Sequence, residues 1–349
     1  MPRQGPTVVR RATCSRTRVV ARTAMSLFVS STLLTGCAPG QFSTQASRIG
    51  PDDGTDSCRP YLVALDSTGN YFGADILTGA AAGAAGGAAL GAIFGQNLRS
   101  ALIGAAAGAA TGAAAGYWMA LQKQSQDQAV LASRVSSDIS RDNVQIDKTQ
   151  EAFNQLTDCR VRQANAIREA YQAHRIDRPT AVAQLLVVKQ RAMHDAEVGQ
   201  KIEGQIQDRS AQFQDAADHL SPGTSTAVAT ADTPPPSRPA TVARAAPLKL
   251  RPDPAAPDVT SLAPGDKVTV TRGRGSYALI ETGSGERGYT PFADLAGPGA
   301  NASAEAAPQV TGGGDVRTLA GSNAARRDQF AESVAVSRQE AATGFDLSG

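Results

Sequence analysis

The sequence predicts a multi-module, mainly α protein that ends in a small all-β barrel and a loose tail. Glycines recur every four residues from 79 to 95 and, after a polar break, from 104 to 116, a spacing that predicts a hairpin of two closely packed helices. Apolar residues recur at helical spacing through 122–220 and predict two long amphipathic arms. Short β-type segments separated by Pro and Gly fill 246–297 and predict the barrel.

The first 36 residues have the composition of a secretion signal. Six arginines and no acidic residue precede or flank the apolar run Met25–Leu34, and Thr35-Gly36-Cys37 follows it. Signal peptidase requires a basic region, a short apolar region and small residues before the cleavage point. Leu34-Thr35-Gly36-Cys37 resembles the bacterial lipoprotein motif, which implies that Cys37 is acylated and anchors the chain in lipid. A basic nucleic-acid-binding arm and a chance match are the alternatives.

Removal of this leader changes the charge of the chain. The sequence has 34 basic and 32 acidic residues, and six of the basic residues but none of the acidic ones lie before Cys37. The mature chain therefore has 28 basic against 32 acidic residues, a net charge of −4. The apparent basicity belongs to a discarded segment, so binding of nucleic acid is not expected.

A flexible tether at 37–73 leads into the predicted helical hairpin at 74–121. Its two helices, about 74–94 and 98–121, are each long enough to cross a hydrocarbon layer of about 30 Å. Four aromatic residues lie at one end of such a hairpin, where they would form an interfacial belt. The low apolar strength of the segment also allows a hairpin that never enters lipid. The helix-packing glycines are Gly79, Gly83, Gly87, Gly91, Gly95, Gly104, Gly108, Gly112 and Gly116, and the aromatics are Tyr71, Phe72, Tyr117 and Trp118.

Residues 79 to 121 resemble the glycine-zipper, two-transmembrane families of bacterial outer-membrane lipoproteins and surface antigens. This resemblance implies a structural or pore-like membrane module that associates with itself through its glycine faces. The spacing alone indicates close packing of helices. An Ala/Gly run supplies no nucleophile, acid, base or metal ligand, so it favours architecture over chemistry.

The segment 122–220 predicts an antiparallel coiled-coil hairpin. Asp177-Arg178-Pro179-Thr180 interrupts the pattern, with Asp177 placed to cap a helix and Pro179 in its first turn. A folded-back bundle of shorter helices is the alternative. The predicted core positions are Val135, Ile139, Ile146, Phe153, Leu156, Ala164, Ile167 and Tyr171 on the first arm and Leu185, Val188, Ala192, Ile202, Ile206, Phe213, Ala216 and Leu220 on the second.

Two cysteines, Cys58 and Cys159, remain in the mature chain besides Cys37. In an oxidising compartment they allow one disulfide, which would close a loop of about 100 residues. Two isolated buried thiols are the alternative.

A Pro-rich linker is predicted at 221–245, before the barrel at 246–297. Three motifs of the barrel segment, at 248–252, 262–266 and 285–289, resemble the bacterial Src-homology-three (SH3) domain. The alternation in Lys267-Val268-Thr269-Val270 points the two valines to one face and agrees with that resemblance.

Many members of that family recognise cell-wall peptide or protein segments in an aromatic groove. Tyr277 and Tyr289 stand where members usually carry tryptophan, so Arg251, Tyr277, Tyr289 and Phe292 could line such a groove. Tyrosines at these positions also commonly fill a barrel core. The tail, 298–349, contains one predicted helix, 322–342, that either docks elsewhere or stays loose.

The sequence contains no pattern that indicates catalysis. His174, His194 and His219 all lie on the predicted arms, where solvated positions are expected, and no zinc-protease, nucleophile-elbow, phosphate-loop or dinucleotide motif occurs. We therefore expect a non-enzyme without cofactor or metal. We expect the protein to be an outer-membrane lipoprotein that faces the periplasm. Its expected function is that of a scaffold or tether between membrane lipid and a partner, either peptidoglycan or an envelope protein. An oligomeric glycine-zipper pore is the alternative.

Overall fold

The computed structural model describes residues 44–73, 112–231, 235–301, 304–305 and 314–347. The predicted leader, the predicted lipidation residue Cys37 and the glycines from Gly79 to Gly108 lie outside the described residues. The helices of the described part are α1 (Gln45–Ile49), α2 (Arg59–Gly69), α3 (Gly112–Gln124), α4 (Gln128–Gln172), α5 (Arg178–Leu220), α6 (Thr224–Ala231) and α7 (Val316–Thr343).

The two long arms form as predicted, as the 45-residue α4 and the 43-residue α5. The Asp127 carboxylate caps α4, and the Asp177 carboxylate accepts the Thr180 backbone N–H at the start of α5. The arms are antiparallel, since Arg160 meets Asp195 near the turn and more remote residues pair farther from it. The predicted break at 177–180 is confirmed.

The tail is not loose, because α7 packs between α4 and α5 over 28 residues. It runs parallel to α4: Asn323 Nδ2 lies 3.1 Å from Asp142 Oδ2, and Arg168 Nε lies 2.9 Å from the Asp346 carbonyl near the other end. Phe330 and Val334 of α7 are buried in the same core cluster as residues of α2, α4 and α5. Of the two alternatives for the tail helix, docking is confirmed and a loose helix is wrong, and α4 and α5 belong to a multi-helix bundle.

The C-terminal half contains one mainly antiparallel sheet with the strand order β3-β2-β6-β5-β4-β1-β7. A short strand, β8, pairs in parallel with β4 beside this path. Two register shifts, in β2 and in β4, bend the sheet. The strands are β1 (Arg238–Val242), β2 (Ala246–Lys249), β3 (Asp258–Leu262), β4 (Lys267–Arg274), β5 (Tyr277–Thr282), β6 (Arg287–Pro291), β7 (Leu295–Ala296) and β8 (Ala304–Glu305).

This sheet is curled but is not closed into a barrel, because β3 and β7 end the strand path without pairing to each other. The predicted linker at 221–245 instead supplies α6 and the strand β1, which inserts between β4 and β7. Ala240 and Val242 of β1 alternate into the sheet's inner core, where Val268 and Val270 also lie as predicted. The prolines of this segment predicted a linker, and the alternation of apolar residues along β1 was not recognised from the sequence.

Both faces of the sheet are covered. On β5, Ala278 and Ile280 point into the inner core, whereas Tyr277 and Leu279 point to the opposite face. The opposite face packs against Val336 of α7 together with a valine of α4. The sheet is therefore held on the helical bundle, with α7 as the principal contact.

Candidate functional site

The glycine-rich stretch leaves the described fold at Gly73, beside α5. A Cβ placed on Gly73 would lie 3.1 Å from Gln205 Nε2, and one on Gly69 would clash with Ile202. The Arg209 guanidinium lies 4.5 Å from the centre of the Tyr71 ring, a cation–π contact. This exit point is therefore fixed on the 202–209 part of α5.

The stretch returns at α3, which also packs on α5. Tyr117 and Phe213 make an edge-to-face contact with ring centres 5.5 Å apart, and the Tyr117 hydroxyl donates to Asp138 at 2.8 Å. Burial, with the Asp138 charge, raises the pKa of Tyr117 above its ordinary value. The rings of Trp118 and His219 are stacked with their centres 5.0 Å apart. Because α3 contacts residues 213 and 219, whereas Gly73 contacts residue 205, the return point lies two to four turns farther along α5 than the exit.

These contacts correct the prediction of an aromatic belt. Phe72, Tyr117 and Trp118 are each no more than 5% exposed, and all are packed against helices of the bundle. Aromatic residues that carry a polar group, such as tyrosine and tryptophan, suit a membrane interface and a protein core equally. The sequence therefore could not distinguish an interfacial location of these residues from a buried one. The rings serve instead as the attachment of the glycine-rich stretch to the bundle.

A buried ion pair underlies this attachment. Arg209 Nε lies 2.7 Å from Asp142 Oδ1, and both side chains are at most 5% exposed. Asn323 of α7 donates to the same carboxylate at 3.1 Å. Burial raises the pKa of Asp142, while Arg209 opposes that effect. The sequence analysis missed this pair, because the two residues lie 67 positions apart and no local pattern connects them.

The structure joins Cys58 and Cys159 in a disulfide with Cα atoms 5.9 Å apart. Beside it, Arg160 is 2% exposed and lies 2.6 Å from carboxylate oxygens of both Asp56 and Asp195. Burial acts against the charge of this guanidinium, but hydrogen bonds to the two carboxylates outweigh it and raise the pKa of Arg160. Disulfide and ion pairs together attach the loop before α2 to both long helices.

An open cleft of about 390 Å³ lies between that loop and α5. Its wall includes Asp53, Asp56, Arg191 and His194, which already interact among themselves or with backbone carbonyls. Within the described ranges, no three His, Cys, Asp or Glu side chains are arranged to hold a metal ion. The cleft thus presents ion-paired side chains rather than a set of free ligands.

Two of the four predicted groove residues meet on the covered face of the sheet. Tyr277 and Tyr289 are 8% and 3% exposed and share a cluster with Val336 of α7. The Tyr289 hydroxyl donates to the Glu332 carboxylate of the same helix. Burial raises the pKa of Tyr289 well above its ordinary value, and the neighbouring Glu332 adds to this. The two tyrosines therefore hold the protein's own helix.

The other two groove residues lie elsewhere. Arg251 Nη2 is 2.7 Å from Asp158 Oδ2 of α4, so it fastens the sheet to the bundle. Phe292 packs against the inner core of the sheet, on the side away from Tyr277. The structure does not bring the four residues into one open groove.

Glu332 is the residue of this face that the sequence analysis missed. Its carboxylate lies 3.3 Å from Arg274 Nε and 3.5 Å from Arg272 Nη1, in addition to the Tyr289 hydroxyl. The bulge in β4 brings Arg272 and Arg274 toward α7. Arg272 and Arg274 are two positions apart in a strand, which indicates that their side chains lie on the same face of the sheet. Nothing nearby in the sequence identified their acidic partner.

The comparisons with known proteins concern the glycine-rich stretch. A family model described as YMGG-like Gly-zipper matches residues 63–120, from the middle of α2 to the middle of α3. No curated protein matches the chain, and no solved structure does. Of the predicted packing glycines, Gly112 begins α3, and Gly116 is exposed on it.

Among the helices that the structure describes, none is long and apolar enough to cross a membrane.

The three histidines are scattered over the fold. His174 adopts a left-handed conformation in the turn after α4, His194 contacts the Ile49 carbonyl, and His219 stacks on Trp118. Each of these positions has a structural explanation.

Proposed function

We propose that the protein is a non-catalytic lipoprotein of the cell envelope, anchored through Cys37 in the outer membrane and facing the periplasm. It acts as a membrane-anchored scaffold. The observation that carries this proposal is the YMGG-like Gly-zipper match at 63–120, whose two ends are fixed on a folded helical bundle. A match to a Gly-zipper family favours membrane association. The bundle is the folded body to which both ends of the proposed membrane segment are attached.

The spacing of the two attachment points supports a helical hairpin between them. Gly73 lies beside Gln205, and Tyr117 packs on Phe213, eight positions farther along α5. Eight residues of helix span about 12 Å, and packed helices lie about 8–10 Å apart. The two contact points on α5 are thus separated by about the distance that two adjacent helices require.

Anchoring is tested by replacing the acylated residue. Cys37→Ala should block processing of the precursor by the lipoprotein peptidase, and globomycin should cause the same accumulation in the wild type. Cys14→Ala is the matched control, because this cysteine leaves with the leader. Normal maturation of Cys37→Ala, or recovery of the wild-type product in the cytosol, would refute the anchor.

Hairpin insertion needs a separate measurement. When residues 38–349 are exported behind a leader that the general signal peptidase removes, so that neither the lipid nor the apolar leader remains, carbonate extraction should leave the chain in the membrane fraction if the zipper hairpin is inserted. Full release without the lipid would count against insertion while leaving the anchor at Cys37 intact.

The sheet is proposed as an SH3-like module that binds peptidoglycan or an envelope protein. Because α7 covers Tyr277 and Tyr289, a ligand would use the edge at β3. In the described part of the chain this edge pairs with no further strand, although Asn165 of α4 donates one hydrogen bond to the Asp258 carbonyl. An open cleft of about 450 Å³ follows this edge, lined by Thr260 and Ser261 and by the end of α4. Addition of a peptide strand to an exposed edge is an established mode of recognition.

Co-sedimentation of the mature chain with purified sacculi tests this assignment. Ser261→Glu, on the β3 edge, should weaken binding several-fold, whereas Ser284→Glu, in an exposed turn of the same sheet, should not. Equal binding by the two variants would place the ligand elsewhere, and absence of binding by the wild type would remove peptidoglycan as the partner.

A second candidate function is an oligomeric zipper pore. Gly116 favours it, since it is exposed and no atom of the described residues lies within 4 Å of a Cβ placed there. A glycine face left open at the base of the stripe suits association with further helices. Bilayer conductance by the purified protein, abolished by Gly87→Leu and Gly108→Leu, would support the pore; its absence would support the scaffold.

A further inference from the structure

The first half of α5 exposes an apolar face. Val182, Leu186 and Met193 are 50%, 52% and 46% exposed, and their spacing of four and seven residues places them on one side of the helix. Val187 beside them is 45% exposed. We call these four residues the α5 apolar face.

This face is a local feature of α5. The opposite side of the same segment is also apolar and fills the core, with Leu185, Val188 and Ala192 buried. Farther along the helix the exposed positions become polar: Gln200, Lys201, Gln205, Gln207 and Asp208. A surface helix normally has a polar outer side, so apolar residues on both sides indicate a second contact.

The described segment 44–73 lies along the side of α5 that Val187 shares, about a third of the way round the helix from Val182, Leu186 and Met193. The Ile49 carbonyl lies 3.3 Å from His194 Nε2, and the Arg191 guanidinium contacts Thr55. At the other end of the segment, Gly73 lies beside Gln205. The segment therefore follows α5 from residue 191 to 205 and borders the pocket wall that Val187 and Gln190 also line.

Both ends of this segment continue into the parts of the chain that the proposed function directs to the membrane. Thr44 follows Cys37 by seven positions, a reach of at most about 25 Å. Gly73 lies within the zipper match at 63–120. The stretch of α5 from His194 to Gln205 is about 16 Å long, so the two membrane connections lie close together beside the same helix.

We propose that the α5 apolar face docks on the phospholipid surface, with α5 parallel to the bilayer. This inference rests on the proposed function, because it takes lipid as the occupant from the two neighbouring anchors. The exposed Arg178 at one margin can extend its charged end toward headgroups while its stem lies on the apolar surface. The acidic Asp177 and Glu197 are nearby as well, so apolar contact rather than net charge drives the docking.

A probe at one position distinguishes docking from mere anchoring. In the Cys37→Ala mature chain, the disulfide of Cys58 and Cys159 leaves an introduced cysteine as the free thiol. An environment-sensitive dye is placed on Leu186→Cys, or on Val144→Cys as the matched control, since Val144 is 45% exposed on α4. Vesicles of phosphatidylethanolamine and phosphatidylglycerol should blue-shift the dye at 186 and raise its intensity several-fold, with little change at 144.

Flotation of the same samples separates this inference from the proposed function. If the protein floats with vesicles but the dye at 186 behaves like the dye at 144, docking at α5 is refuted and membrane association through the zipper segment stands. If the protein does not float, docking at α5 and insertion of the zipper hairpin are both refuted, while the anchor at Cys37, which these samples lack, is judged by the maturation test alone. A blue shift without vesicles would overturn the proposal in favour of a second copy, if it depends on concentration, or of the chain's own zipper segment, if it does not.

A charge substitution provides an independent check. Leu186→Glu should lower vesicle binding at least threefold, whereas Val144→Glu should leave it unchanged. Equal binding by both variants, with unchanged unfolding transitions, would contradict lipid contact at α5.

Discussion

Replacing Glu340 by Gln should stabilise the protein at neutral and alkaline pH. Glu340 of α7 is 2% exposed, and burial raises the pKa of its carboxyl to about 7, with Glu286 and Asp346 adding to the effect and Arg168 and Lys189 opposing it. The carboxyl therefore binds its proton more tightly in the native state than in the unfolded chain. Stability contributed by this group is present at low pH and is lost as the pH rises from about 4.5 through 7.

The magnitude follows from the two pKa values. Between the ordinary 4.5 and about 7, at ~1.4 kcal/mol for each tenfold difference in proton affinity, the loss reaches about 3 kcal/mol. Glu340→Gln removes the titration and keeps the shape of the side chain. Arg168 retains its hydrogen bonds to the Asp346 and Gly344 carbonyls and to Asn165. The variant should thus match the wild type near pH 4.5 and exceed it by up to about 3 kcal/mol at pH 8.

Urea unfolding of the Cys37→Ala mature chain at several pH values measures this difference. Glu197→Gln is the matched control, because Glu197 is exposed on α5 and should change the free energy of unfolding by less than about 0.5 kcal/mol. If the difference in the free energy of unfolding between Glu340→Gln and the wild type does not grow between pH 5 and pH 8, the carboxyl of Glu340 does not have a raised pKa in the native state.

Two further predictions concern the packing of the bundle. Replacing both Cys58 and Cys159 by Ser should lower the free energy of unfolding by about 4–5 kcal/mol, because the disulfide spans 101 residues; urea unfolding with and without reductant checks this, and a reductant-insensitive midpoint would contradict it. Gly199→Ala should destabilise by about 1–3 kcal/mol, since its Cβ would lie 2.8 Å from the buried Phe153 ring. Gly204→Ala, with open space on the same helix, should instead stabilise by up to about 1 kcal/mol, and the same sign for both in thermal melts would refute the packing argument.

The long helices could be predicted because their periodicity is local. Val135, Ile139 and Phe153 were placed on the core side of α4 from spacing alone, and all are buried. The cap at Asp177 depends on residues three positions apart, which the sequence displays directly. Elements of this kind depend on neighbours in the chain and need no knowledge of the tertiary fold.

The buried polar side chains of α4 could not be predicted in the same way. A two-helix coiled coil buries one seam, but α4 contacts α2, α5, α7 and the sheet, so several of its sides are buried. Asp142 pairs with Arg209 of α5, Asp158 with Arg251 of the sheet, and Arg160 with Asp56 in the loop before α2. Their partners lie 67, 93 and 104 residues away, and periodicity identifies a side of a helix but not what covers it.

The covering of the tyrosine face determines how the sheet can bind anything. A ligand for Tyr277 and Tyr289 must first displace α7, which is held there by the Glu332 bonds and by Gln339 Nε2 donating to the Gly285 carbonyl at 2.7 Å. A ligand that binds only the open form loses apparent affinity in proportion to the fraction that is open. A docking free energy of only ~3 kcal/mol would lower that affinity about 150-fold. A partner of the sheet therefore binds more tightly at the β3 edge, which pairs with no further strand among the described residues, than at the predicted groove positions Tyr277 and Tyr289.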